Sequence, residues 1–533
     1  MIHDLNASIN FVTRISARVC IIGAGTAGIF LAKLLRQRGI EVTLLDAGGD
    51  LSKSPAESGE FCEQNGLLYR GADNGRAFGL GGTSALWGGQ MIPLSRSDFS
   101  ARPQVNFSAW PIGYDDVARF FPLVASAVGL AGVAGRSGAE DEEVINAKFP
   151  LLKSAQGDFE LRLSSWIPFA VRNFSIAYEK ELKDDAGPDV WLNAAVVDIR
   201  NEGVDQARVA EVVARSANGR ELVVEPEFVV VAAGALESTR LLLAYDEATD
   251  SSITRCGSPL GCYFADHISV PCAKFKCLNW KEFNHQVAPI FDRGVMRTPR
   301  LELTKDAQEM HRLTSAFAHF TFMTKGRTGF DLVRSIMRRR QGEQVNIAIT
   351  PSDFFRAAVD IFSMTFWRYF YKRLWIPRKS DLVLQVDIEQ LPNRQSRLLL
   401  SNDKDKFGRK RLVVDWQITP DDVKVIKRVA ELAMAAWKNS SLQNSAEIEL
   451  AIPTELDSFS TPYDVYHPTG SLQMGSTSSD SVVDGNLRLW ASDNIFVSST
   501  AVFPSAGSAN PGMTHLALTA RLAEHLSNRL GSR

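Results

Sequence analysis

The chain lacks a large excess of either charge. Its 533 residues carry 59 basic and 61 acidic side chains, so no global field favours a polyanion and nucleic acid is not an expected partner. Cysteine is scarce as well. Cys20, Cys62, Cys256, Cys262, Cys272 and Cys277 include no CxxC pair, which argues against a disulfide scaffold. The last four cluster, but their spacing matches no iron–sulfur or zinc pattern, and no metal is expected. Long hydrophobic runs are missing, because charge or glycine interrupts every apolar stretch before about 18 residues. Met1 to Arg18 show no basic start, apolar run and cleavage site, so the cytoplasm is the expected address. What remains is a globular composition, too long for one compact core, and two interleaved domains are expected.

Ala17 to Ile22 read as a buried strand, Gly23, Gly25 and Gly28 as a GxGxxG turn, and Ile29 to Arg38 as a helix. A second strand, Glu41 to Leu45, ends on Asp46. Strand, turn, helix, strand and an acid about twenty residues on make up the whole dinucleotide fingerprint. Gly23 permits the turn, Gly25 lets backbone approach a pyrophosphate, and Gly28 lets helix and strand pack. The helix N-terminus offers free N–H groups to phosphate, and Asp46 is the expected acceptor for ribose hydroxyls. Three further segments favour FAD over NAD. These are the glycine-rich LGGTSALWGG from Leu80 to Gly89, an apolar strand from Phe228 ending in AAG at Gly234 with a helix from Ala235 to Leu243, and a short strand from Asn494 to Val497.

In chain order, GGTSALWGG, WPIGYDD (Trp110 to Asp116), AAGALESTRLLL (Ala232 to Leu243), YHPTGSLQMG (Tyr466 to Gly475) and SANPGMT (Ser508 to Thr514) span nearly the whole length. They resemble the glucose–methanol–choline (GMC) oxidoreductases, as do Ala265, Asp266 and His267 and the segment EQLPNRQSRLLL from Glu389 to Leu400. The resemblance is closest to the branch of pyranose 2-oxidase, cholesterol oxidase and bacterial sugar dehydrogenases, which carry asparagine where glucose oxidase has a second histidine. Here that position is Asn510. The resemblance implies an α/β (mixed α+β) fold, with a Rossmann-like FAD-binding domain interleaved with a substrate domain on a largely antiparallel sheet. The expected segments are 1–93, 189–268 and 454–533 for FAD, and 94–188 and 269–453 for the substrate cap.

The same resemblance implies the site. Gly23, Gly25, Thr26, Ala27, Gly28, Asp46 and Ala47 would hold FAD, with Gly81, Gly82, Thr83, Ser84, Trp87, Gly88, Gly89 and Gln90 from the glycine-rich loop. Val197, Ala233, Gly234, Ala501, Pro511 and Met513 complete the expected set. Leu86 stands where pyranose oxidase has the histidine that links its flavin, so the FAD is expected to be non-covalent. An alcohol oxidation needs a base for the hydroxyl proton, an acceptor for hydride and groups that orient the C–H bond. By resemblance flavin N5 accepts the hydride, His467 is the base and Asn510 donates to the substrate oxygen. An imidazole with a pKa near ~6.5 is largely neutral at physiological pH. His267 is read as structural. The expected partners are a small-molecule alcohol, with a sugar or glycoside ahead of a sterol or lipid alcohol, and an electron acceptor that is dioxygen, a quinone or a redox protein.

Alternation in Leu382 to Gln390 and in Arg409 to Ile418 predicts a sheet with one buried face. Gln385, Asp387 and Glu389 share a strand face, read as solvent-facing with a polyol-binding alternative. Between 330 and 377, Phe354, Phe355, Phe362, Phe366, Trp367, Tyr369, Phe370, Tyr371 and Trp375 alternate with Arg356, Arg368, Lys372 and Arg373. A packed cap helix is the first reading of this insert, and a lid or peripheral membrane contact through 354–377 is the second. Rival readings of the whole chain are a lyase or decarboxylase on the same scaffold, a flavin-binding module without turnover, and an NAD-dependent dehydrogenase.

Overall fold

The strand expected from Ala17 is the second half of a longer one, Val12–Ile22, in the computed structural model of the chain. The structure describes residues 1–531 apart from 60–61, 134–137, 155–156, 203–204, 325–327, 342–350 and 452–462, and without the side chains of 138–139, 205–206 and 351–356. Val19 to Ile22 are all buried, because parallel neighbours flank them and helices cover the sheet, so the strand reads as a continuous apolar run. Val42–Leu45 and Glu221–Val231 lie on its two sides, both parallel to it. The strand order is Ile2–Asp4, Asp189–Leu192, Val42–Leu45, Val12–Ile22, Glu221–Val231, Asp205–Arg215, Ala195–Glu202, and Ile495–Val497 pairs in parallel with the end of Glu221–Val231. The helix Thr26–Arg36 follows the glycine turn and packs on the C-terminal helix Gly512–Gly531.

A nine-stranded sheet supplies the second layer, and every pairing in it is antiparallel. At its centre are His267–Cys277, Asp381–Glu389, Ala316–Met323 and Val295–Leu303. Register sets its two faces apart. Ile268, Ile388, Ala316 and Leu301 fall on one face, which packs toward the helix Pro420–Lys438. Opposite pairings put His267 beside Glu389, Ser269 beside Asp387, Phe317 beside Asp387 and His319 beside Gln385 on the other face. Gln385, Asp387 and Glu389 are all buried, so the solvent-facing reading of that face is wrong. The period of two was right, and what it could not reveal was that the polar face is covered by the other layer.

The strand expected at Arg409 to Ile418 is Lys410–Trp416, but it joins a separate three-stranded sheet with Arg397–Lys404 and Glu63–Gly66. The nine-stranded sheet in turn takes Gln90–Met91 and Tyr463–Asp464. The two layers therefore exchange strands across the boundaries drawn from the sequence. The basic and aromatic insert forms two helices, Gly329–Arg340 and Pro351–Phe366, ending in the turn Trp367–Tyr371. Trp367 packs edge-on against Trp280 at 5.2 Å between ring centres, whereas Phe362, Tyr369 and Phe370 are 66–75% exposed. The insert is thus part cap and part unburied aromatic surface, and the side chains of Phe354, Phe355 and Arg356 lie outside the described ones. Among the described residues no helix is long and apolar enough to cross a membrane.

Candidate active site

A cavity of about 730 Å³ runs between the two layers, toward the large end of the range for small-molecule sites. Its nucleotide part is built from backbone. A Cβ on Gly28 would lie 1.8 Å from the Gly23 carbonyl oxygen, and one on Gly23, which sits at φ +112°, would lie 2.6 Å from the Ala232 oxygen. Helix, turn and neighbouring strand therefore close to backbone contact, which only glycine allows. Gly82 comes equally close, since its Cβ would meet the Gly25 Cα at 2.8 Å. This clasps the glycine-rich loop onto the first turn. No side chain caps the N-terminus of Thr26–Arg36, which leaves its N–H groups for an anion.

Asp46 lines this part of the cavity, but much of its capacity is already used. One carboxylate oxygen accepts from the Ala24 N–H at 2.8 Å, and the other accepts from Gly48 and Gly79, both at 2.9 Å. The side chain thus ties three loops together and has few lone pairs left for a ribose. Of the expected cofactor residues, Gly23, Gly25, Thr26, Ala27, Asp46, Ala47, Gly82, Thr83, Trp87, Gly88, Gly89, Gln90, Ala233, Gly234 and Pro511 line the cavity. Gly28, Gly81, Ser84, Ala501 and Met513 sit behind that surface. Val197 does not line it either; Ala194 and Val196, two positions apart, line it instead. The sequence reading missed Arg76, Glu237 and Arg409. Partial burial of Glu237 opposes its charge, yet Arg240 and Arg409 hold its carboxyl down to about 2. It lay inside a quoted motif, whereas Arg409 stood out only as the start of a predicted strand and nothing in the sequence marked Arg76.

The end of the cavity around His467 and Asn510 is built from side chains. His467 follows Tyr466, a non-glycine residue at φ +66°, and its backbone N–H donates to the buried Asp266 carboxylate at 2.8 Å. The Tyr69 hydroxyl donates to the same Asp266 oxygen at 2.7 Å. Asn510 Nδ2 lies 3.5 Å from His467 Nε2, so the two expected catalytic residues meet on the cavity wall. His467 Nδ1 lies 3.1 Å from His267 Nδ1, and His267 Nε2 lies 2.7 Å from the Gly507 carbonyl oxygen. Burial pushes His467 down to about 3, helped by His267 and opposed by Asp387. It is therefore neutral at any physiological pH, well beyond what an ordinary imidazole guarantees.

Gly507 is itself held, because its N–H donates to Glu389 at 2.8 Å while Arg102 grips both Glu389 oxygens in a buried ion pair. Asp387 and His319 also face the cavity, with His319 Nε2 2.8 Å from Asp387 Oδ2. The approach is close but poorly angled for a hydrogen bond, and neither atom has another partner. Burial opposes the Asp387 charge, yet His319, Ser269 and His267 hold the carboxyl below its usual range. Two more buried polar atoms stand without partners among the cavity-lining residues, Asn510 Oδ1 and His515 Nε2.

A family model described as FAD dependent oxidoreductase matches residues 18–302, and one described as GMC oxidoreductase matches residues 392–519. The chain belongs to the GMC family of FAD dependent oxidoreductases. This GMC enzyme, which acts on CH–OH groups, is 23% identical to the fructose dehydrogenase large subunit of Gluconobacter japonicus over 97% of its own length and 98% of the relative's. It is 21% identical to 2-methyl-1,2-propanediol dehydrogenase of Mycolicibacterium austroafricanum, over 96% and 95%. Pyridoxine 4-oxidase from Mesorbium loti has a similar fold, with a TM-score of 0.61 at 16% identity over 96% and 99% of the two chains. A formate oxidase superposes with a TM-score of 0.59 at 14% identity over 98% and 99%. The glycine cradle, the uncapped helix N-terminus and the partnerless Asn510 and His515 atoms suit FAD in the GMC cavity, since each offers what a pyrophosphate or a polar ring edge requires.

Proposed function

We propose that this GMC enzyme oxidises a hydroxyl group of a sugar or glycoside, with His467 as general base and Asn510 as the donor that orients the substrate oxygen. The observation that carries this reading is the meeting of His467 Nε2 and Asn510 Nδ2 on the wall of one cavity, from residues 43 positions apart. Bound FAD supplies the hydride acceptor. His467 takes the hydroxyl proton, and its depressed pKa keeps the ring ready to do so. Asn510 does not titrate, and its amide N–H groups can hold the alcohol oxygen in place. The sugar assignment is supported by the under-partnered Asp387 and His319, which offer an acceptor and a ring nitrogen to a second hydroxyl, and by the relative named for fructose. Non-covalent FAD is supported by Leu86, whose side chain has no nucleophile and lines the cavity.

The test is anaerobic reduction of the flavin by a panel of sugars, glycosides and simple alcohols. His467→Ala should slow reduction by roughly 10²- to 10⁴-fold with FAD still bound. Wild-type reduction kinetics in that variant would sink the reading, and bleaching only by apolar alcohols would sink the sugar part. The exposed Phe362, Tyr369 and Phe370 favour one second reading, work at a membrane surface on a lipid alcohol or with a quinone acceptor.

A further inference from the structure

We propose that His267, read from sequence as structural, is a positioning residue that holds His467 in its Nδ1–H tautomer and so leaves Nε2 bare toward the cavity. The inference rests on the reading of His467 as base, and it decides which of that residue's two nitrogens does the work.

The argument begins at a carbonyl. The Gly507 oxygen can only accept, so at 2.7 Å the neighbouring His267 Nε2 must carry a hydrogen and donate. Burial holds the His267 pKa down, so this imidazole carries one proton, and its Nδ1 is a bare acceptor. That acceptor faces His467 Nδ1 at 3.1 Å. The hydrogen between the two rings therefore belongs to His467 Nδ1, and His467 Nε2 is left with its lone pair. Asn510 Nδ2, 3.5 Å away, then donates toward that lone pair. All three contacts share one polarity.

The alternatives are each worse. If His467 carried its proton on Nε2, two bare nitrogens would face one another at 3.1 Å in a buried site, where an unmet acceptor costs about 1 to 3 kcal/mol. Moving the His267 proton to Nδ1 would mend that contact but set a lone pair against the Gly507 oxygen at 2.7 Å. Charging His267 would satisfy both contacts, at the cost of an ion in a fully enclosed position. The anchor cannot drift, because Gly507 donates to Glu389 and Arg102 clamps Glu389. Gly507 also leads directly to Asn510, so one loop fixes both the tautomer and the second catalytic side chain. When the hydroxyl proton passes to Nε2, its O–H bond breaks, a new N–H bond forms, and the hydrogen on Nδ1 stays in its bond to His267.

The experiment reads the tautomer directly and needs no substrate. The FAD-bound protein is labelled with ¹⁵N-histidine, and the two ring nitrogens of His467 are assigned by their loss in His467→Ala. Their shifts are then compared in wild type, His267→Ala and His267→Gln. Wild type should show Nδ1 protonated and Nε2 bare. His267→Ala should move His467 toward Nε2–H, the form free histidine prefers. His267→Gln should restore Nδ1–H, because its amide oxygen can accept from His467 while its N–H donates to Gly507. An Nε2–H tautomer in wild type would overturn the proposal, as would an unchanged Nδ1–H tautomer in His267→Ala. Should the alanine variant fail to fold, the glutamine variant decides, with Nε2–H on His467 there counting against the lock. Loss of the base reading is a separate result, since it appears as unchanged flavin reduction in His467→Ala whatever the tautomer.

Discussion

The glycine-lined end of the cavity and the end around His467 and Asn510 are built by opposite means. At the first, glycines bring backbone against backbone, and the one carboxylate, Asp46, binds three backbone N–H groups. At the second, polar side chains far apart in the chain meet one another, as in His267 with His467, Asp387 with His319 and Glu389 with Arg102. A backbone site tolerates almost no added atom but asks little of side-chain identity. A side-chain site tolerates small changes of volume but fails when one donor becomes an acceptor.

Substitutions can separate the two halves, and the largest effect should come at the backbone. Gly28→Ala sets a methyl 1.8 Å from the Gly23 oxygen, and it should cost more than about 3 kcal/mol of stability and most of the bound FAD. Thermal unfolding and the flavin absorbance of the purified variant measure this, and a yellow protein of wild-type stability would break the contrast. Asn510→Ala removes only one N–H donor from the cavity wall. It should slow flavin reduction by about 1 to 3 kcal/mol, roughly 5- to 150-fold, in a protein that keeps its FAD and its melting temperature.

Asp387→Asn is expected to do less. It keeps the shape of the side chain but removes its charge, so KM for a polyol should rise about tenfold while KM for a mono-alcohol stays level. Equal effects on both would remove Asp387 from substrate recognition. The smallest expected effect is that of pH. Because His467 is pushed down to about 3 by burial, it stays neutral as pH falls from 8 to about 5.5, and reduction should change by less than about twofold over that range. A limb centred near the ordinary histidine value of about 6.5 would show that the ring is not desolvated as the structure has it. The same shift has a thermodynamic counterpart. The unfolded chain binds a proton at His467 near about pH 6.5 and the folded chain does not, so this group's contribution to stability falls as pH drops from about 6.5 toward about 3.

The sequence by itself determined the nucleotide half. Gly23, Gly25, Gly28 and Asp46 are close in the chain, and their spacing encodes the strand, turn and helix start locally, while Gly79, Gly82 and Ala232 close on that unit from farther along the chain. His467 and Asn510 were also legible, through motifs that resemble a family's. Only the tertiary structure decided the rest. His267 lies 200 positions from His467, and no local pattern says that the start of one strand and a distant loop will bring their rings within a hydrogen bond. Asp387 was visible as one face of an alternating strand, but the covering of that face depends on a second layer assembled from residues on both sides of it in the chain. Val196 stands where Val197 was expected because Ala194 and Val196 share the face that meets the cavity, and which face of that strand turns inward is set by the layer it packs on. Period and spacing specify which residues share a surface, and long-range packing specifies what that surface meets.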